Sequence, residues 1–169
     1  MKKIQFLASA AVASLALAAS SVQAANGVYE FTYSGDGVTA SGTFWTASED
    51  ASTPSAVLSI TGSYSDGFIS GAIDGVVPLG TDGGFIYDNL FGGAPLFSNP
   101  GLLFDVGGSQ HVNLYSVGTD YHSVTYENGG IPDTPVSLTI TAIPEPSSVA
   151  LLMAGLGALG IASRRRARG

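Results

Sequence analysis

Few groups in this chain could do chemistry. It holds two histidines, His111 and His122, against 13 acids, and it has no cysteine. The histidines flank Gly118-Thr119-Asp120, which reads as a turn, so they belong to the two strands of one hairpin. With three residues in the turn, His122 falls opposite Ser116, five residues along from His111. At about 3.4 Å per residue the two imidazoles stand roughly 17 Å apart, too far to share a metal ion or pass a proton. A two-histidine zinc site is therefore not expected, and without cysteine neither is a thiolate site or a disulfide.

Serine is abundant, yet no G-x-S-x-G elbow occurs to expose one as a nucleophile. Paired carboxylates could hydrolyse a glycoside. However, Asp36, Asp66, Asp74 and Asp82 each precede a glycine, and turn formation accounts for them: glycine accepts the positive φ that tight turns require. Calcium is the one cofactor such acidic turns leave open, although no D-x-[DN]-x-[DN]-G loop is present. The residues thus describe a non-catalytic domain with no metal site of recognisable spacing.

The distribution of charge says more. All six basic residues are Lys2, Lys3, Arg164, Arg165, Arg166 and Arg168, and every acid lies between Glu30 and Glu145, for a net charge of −7. Between the two ends there is no cation to neutralise phosphate, which excludes nucleic acid as a partner.

The elements that must hold these groups follow from periodicity. Met1 to Ala24 has a basic start, an apolar run from Phe6 to Ala19 and the small-residue site Val22-Gln23-Ala24. That is a secretory signal peptide (residues 1–24), to be handled by a secretion translocase. Residues 26–143 alternate with period two. Tyr29, Phe31 and Tyr33 share one face, as do Val38, Ala40, Gly42 and Phe44. Leu58 goes with Ile60, Ile69 with Ile73, Val112 with Leu114 and Val124 with Tyr126. Leu102, Phe104 and Val106 share a face, and so do Val136, Leu138 and Ile140. Asp-Gly or Asn-Gly pairs at Asp36, Asp66, Asp74, Asp82 and Asn128 mark turns. The expectation is an all-β domain of eight or nine antiparallel strands, as an up-and-down barrel or a sandwich, with the hairpin-linked order favouring the barrel. Glycine and serine in several strands leave their register weakly specified.

One segment breaks the meander. Asp74 to Gly101 is rich in glycine and proline and too long for an idle connection. Within it Asp82, Phe85, Tyr87, Asp88 and Phe91 are the candidate ligand contacts, since aromatic rings beside carboxylates suit the face and hydroxyls of a sugar. The competing expectation, and the favoured one, is that these rings together with Phe97 plug the end of the sheet as core.

Past the domain come Pro144-Glu145-Pro146, then Ser147 to Ser163 without a charge, then the arginines. Two prolines hold an extended strap. A helix of those 17 uncharged residues spans roughly 25 Å, the short end of what crosses a bilayer. The arginines of residues 164–169 stay cytoplasmic and leave the acidic domain outside. Ala150, Ala154, Ala158 and Ala162 recur at every fourth position and give one face of the helix a small-residue surface.

This tripartite tail, residues 144–169, resembles the PEP-CTERM sorting signal of exopolysaccharide-producing Gram-negative bacteria. The stretches "YEFTYSGDGVTASGTFWT" and "DNLFGGAPLFSNPGLLF" are similar to the Gly/Thr-rich ectodomains of such proteins. The resemblance implies that an exosortase-type membrane enzyme reads Pro144, Glu145 and Pro146 while Arg164, Arg165, Arg166 and Arg168 retain the chain in the inner membrane. It implies a protein held transiently with its domain in the periplasm and finally placed at the cell surface or outside the cell. There it would be a structural protein of biofilm, with exopolysaccharide as a partner. A carbohydrate- or calcium-binding module is the alternative.

Overall fold

A segment that alternates apolar and polar side chains buries one face by pairing into a sheet. The computed structural model, which describes residues 26–108, 110–125, 133–144 and 153–156, shows this along the domain. The strands are β1 (Gly27–Gly35), β2 (Val38–Thr46), β3 (Ser55–Ser65), β4 (Ser70–Val76), β5 (Leu90–Phe91), β6 (Leu102–Val106), β7 (Gln110–Val117), β8 (Asp120–Thr125) and β9 (Thr134–Ala142). Each long strand pairs antiparallel with the next one along the chain, and β9 returns to pair with β1 from Tyr29↔Ala142 to Ser34↔Ser137. Eight strands thus close an up-and-down barrel. The two-residue β5 lies outside the ring, beside the start of β3. A sandwich is ruled out, because two packed sheets would leave edges where this ring has pairs.

The barrel is filled by side chains. Phe44, fully buried, packs against Tyr29 at 5.2 Å, Phe91 at 4.9 Å and Phe97 at 5.9 Å between ring centroids. Phe91 and Phe97 come from the long connection between β4 and β6 and cap the ring as the core-plug expectation has it, whereas Phe85 and Tyr87 of the same expectation are only half-buried and lie outside the core. Midway along the β2–β3 pairing, Gly42 faces Gly62. A Cβ on Gly42 would stand 2.0 Å from the Thr61 carbonyl oxygen, so only glycine permits the approach.

Four details depart from the periodic reading. Leu58 does not face inward with Ile60. The register slips between Trp45↔Ser59 and Thr46↔Val57, which inserts one extra residue in β3, so that Val57 turns in and Leu58 is 54% exposed. Asp74 makes no turn; it lies within β4 at a slip between Ile73 and Gly75. Gly118 and Thr119 alone form the β7–β8 turn, Gly118 having φ 66°, which places His122 opposite Tyr115 rather than Ser116. Finally, Val124 faces outward and β8 turns Tyr121, Ser123 and Thr125 inward. Tyr126 and the Asn128 turn lie outside the described residues.

The inward hydroxyls of β8 have partners. Asp66 is only 4% exposed, and its Oδ2 accepts from Tyr64 at 3.1 Å and Thr125 at 3.3 Å. Its Oδ1 takes the amides of Phe68 and Ile69, both at 2.8 Å. Ser123 Oγ lies 3.5 Å from the Tyr33 hydroxyl. Burial pushes the phenols of Tyr33 and Tyr64 well above their ordinary range, so both stay neutral. A polar residue inside a barrel is stable only when satisfied in this way. Asp66→Ala removes the acceptor from two buried hydroxyls and two amides. It is expected to cost on the order of 3 kcal/mol in urea unfolding; a loss below about 1 kcal/mol would show that the network does not hold this end of the barrel.

Candidate functional site

The connection from Val77 to Gly101 is built on hydrogen bonds to its own backbone and to the barrel wall. Asn89, at φ 54°, is the buried pin: its Nδ2 donates to the Val77 carbonyl at 2.8 Å and its Oδ1 accepts from the Leu103 amide at 2.9 Å. Asp88 takes the Ser98 hydroxyl at 2.6 Å and the Leu90 amide at 3.1 Å. Asp82 Oδ1 folds a tight bend by accepting from Gly84 and Phe85 at 2.7 and 2.9 Å. The Tyr87 hydroxyl donates to Pro78 and accepts from the Asp82 amide.

Of the five candidate ligand contacts, then, Asp82 and Asp88 hold the loop in shape and Phe91 belongs to the core. Phe85 and Tyr87 are half-buried. The five do not converge on one surface.

Both histidines meet carboxylates. His111 Nδ1 bonds Asp82 Oδ2, and its Nε2 lies 2.9 Å from Asp105 Oδ1. His122 Nδ1 sits 2.7 Å from Asp133 Oδ1, and its ring packs 5.7 Å from that of Tyr115. The ring of His111 ties the loop to β6. Its two nitrogens point to separate carboxylates, so no common centre forms for a cation; among the described residues no three such side chains are placed to hold one. A two-residue Gly107-Gly108 turn would have set Asp105 opposite Gln110; the observed register, with Val106 opposite Gln110, sets it opposite His111. Nothing in the spacing signals Asp82.

Outside the barrel the loop and strands enclose a groove of about 280 Å³. Asn113, Tyr115 and Val124 form its floor. Phe85, Ile86, Asn99 and Pro100 make one wall, and Asp133 stands at the other. Sequence reading missed this place because its floor comes from the outward faces of β7 and β8.

At one end of the barrel the start of β1 and the end of β9 lie side by side. Ala142 closes β9 against Tyr29, the Ile143 amide donates to the Val28 carbonyl at 2.8 Å, and Pro144, lacking an N–H, stops the pairing. Asn26, Gly27, Ile143 and Pro144 line one shallow groove with Glu49. Glu145, Pro146, Arg164, Arg165, Arg166 and Arg168 lie outside the described residues, as does Met1 to Ala24. Of the expected helix from 147 to 163, residues 153–156 are described and are helical. Among the described residues no helix is long and apolar enough to cross a membrane.

The PEP-CTERM protein-sorting motif matches residues 142–166. This tail is a PEP-CTERM sorting motif. It implies export, anchoring at a membrane during sorting, and recognition by an exosortase-type membrane enzyme. The match begins on the last residue of β9, so the PEP-CTERM segment leaves the barrel wall without a linker. The rest of the barrel lies outside the match, and no curated protein and no solved structure matches the chain.

One consequence of the loop clamp can be read by titration. Partial burial alone would raise the Asp82 carboxyl. The hydrogen bond from His111 and the Phe85 and Gly84 amides outweigh it and hold the group below the usual carboxylate range. A depressed carboxyl contributes stability that is fully present above its unfolded value, about pH 4, and lost as pH falls through the folded value. The difference in urea midpoint between the parent and Asp82→Asn is therefore expected to be largest at pH 6 and to shrink below pH 4. A difference that stays constant down to pH 2.5 would contradict the clamp.

Proposed function

We propose that the chain is an exosortase-sorted surface or extracellular-matrix protein whose barrel is a structural, non-catalytic cargo associated with exopolysaccharide or biofilm. The observation that carries this reading is the sorting motif running straight on from β9. The barrel is described as far as Pro144, and from there the two prolines of the Pro144-Glu145-Pro146 sequence would favour the extended backbone that a protease or transpeptidase takes up. The 17 uncharged residues from Ser147 to Ser163 would anchor the chain and the arginines would remain inside.

The non-catalytic part is supported by what the acids do. Asp66, Asp82, Asp88 and Asp105 are each engaged in bonds that hold the fold. A general acid or base needs a group within reach of a substrate and tuned for proton transfer, and these four are spent on architecture.

Two measurements test the reading. Intact-mass spectrometry of the mature protein should find it without Met1 to Ala24 and without Arg164 to Arg168. Glu145→Ala should leave the barrel folded, with an unchanged circular dichroism spectrum, and hold the protein in the inner-membrane fraction. Arrival of that variant in the medium at the parental rate would refute the sorting role of the motif.

A further inference from the structure

The seam between β8 and β9 is short. The two strands meet at Tyr121↔Val136, His122↔Pro135 and Ser123↔Thr134, and there β8 stops. From Ser137 to Ala142, β9 keeps β1 on one side and has no strand on the other among the described residues. Which backbone groups this leaves over follows from the ladder. The Ile143 amide donates to the Val28 carbonyl, and bonded pairs alternate along an antiparallel ladder. Ser137, Thr139 and Thr141 therefore turn their N–H and C=O groups to β1. Leu138, Ile140 and Ala142 turn theirs the other way, where no described residue meets them.

This edge can be reached from outside. A groove of about 500 Å³ opens beside Tyr121, Ser137 and Leu138 where β8 ends, and Ala142 lines the shallow groove at the foot of the barrel. Leu138 and Ile140 point inward yet stay only half-buried, since the strand that would cover them is missing. Sheet edges are commonly blunted by a lysine, a proline or a bulge. None of these protects this one: Val136 to Ile143 holds no charge and no proline, and its register against β1 is unbroken from Ser137 to Ala142. Pro135 and Pro144 stand just beyond its two ends.

What the edge leads into says what covers it. The sorting-motif match begins on Ala142, so the last free residue of the edge is the first of the segment that a membrane enzyme reads. Pro144 follows two residues on, roughly 7 Å of extended chain. A second copy of the barrel fits the edge less well. After Lys3 every charge before Arg164 is acidic, so two copies would meet as like charges.

We propose that the sorting enzyme adds an extended segment of its own to the free edge of β9, through main-chain hydrogen bonds to Leu138, Ile140 and Ala142, as it takes hold of Pro144-Glu145-Pro146. The inference rests on the reading of the tail as that enzyme's substrate and deepens it: the folded barrel supplies part of the recognition surface. Main-chain pairing gives such a contact its affinity, and Leu138 and Ile140 offer apolar surface to the incoming side chains.

The test follows removal of the arginine tail from the full-length chain by pulse-chase in cells that carry the sorting enzyme. Ile140→Pro deletes a donor that β1 does not use and sets a ring in the path of an added strand. It should slow tail removal at least about tenfold, whereas Ile140→Ala, which loses more side chain but keeps the N–H, should run at about the parental rate. In a second measurement, the Leu138, Ile140 and Ala142 amides of the purified parent should exchange fast in deuterated buffer and slow down when the purified enzyme is added. That measurement decides alone if Ile140→Pro does not fold. Tail removal from Ile140→Pro at the parental rate, with Glu145→Ala blocked, would overturn the edge and leave the motif standing; the reverse pattern would count against the motif and leave the edge standing. Equal slowing by Ile140→Ala, amides that the enzyme leaves unprotected, or protection in the parent alone that rises with its concentration would each overturn the inference, the last by pointing to a second copy.

Discussion

The pairing of β1 with β9 is the constraint on which this molecule depends. Without it the other strands form a curved sheet with two open edges. With it they form a ring in which every long strand has two neighbours, and the side chains of Tyr29, Phe31, Tyr33, Val136, Leu138 and Ile140 acquire a shared interior. The same pairing sets both ends of the barrel domain at one rim, since the strands run antiparallel and Ala142 faces Tyr29. The sorting tail therefore inherits its starting point from the closure of the barrel.

The second requirement is a lid. Phe91 and Phe97 enter the ring from the β4–β6 connection and complete the aromatic stack begun by Tyr29 and Phe44. Aromatic rings bury large areas and gain from tilted contacts, so few of them can close a small barrel. The remainder of the connection lies along the outside of β6 and β7, held by Asn89 and by the Asp82–His111 contact. One segment thus closes the interior and builds a wall for the outer groove.

Much of this was legible in the sequence. Tyr29-Phe31-Tyr33 and Val136-Leu138-Ile140 alternate cleanly because their strands are regular and wet on one side, and the hairpin order pointed to a meander. Leu58 misled because a bulge reverses parity, and a bulge has no signature in alternation. Val124 misled for a different reason. The interior beside it is polar, with Asp66 receiving hydroxyls, so the apolar member of the pair faces outward. The tail was readable from composition because charge and chain length govern it directly. The groove was not, since it depends on where a long loop lands on the barrel wall, and that follows from tertiary hydrogen bonds such as Asn113 to Pro100. No local pattern encodes such a landing.

A ring sealed by its first and last strands also carries a kinetic signature. The contacts between β1 and β9 join residues more than a hundred positions apart, and closing so long a loop must precede any gain from the seam. Nascent chains that stop short of β9 cannot seal at all. They would present β1 and β8 as bare edges, open to pairing with any neighbouring strand. Quality control over this protein is thus built into its topology: a truncated product has nowhere to hide its edges, whereas in the closed ring every long strand is paired on both sides.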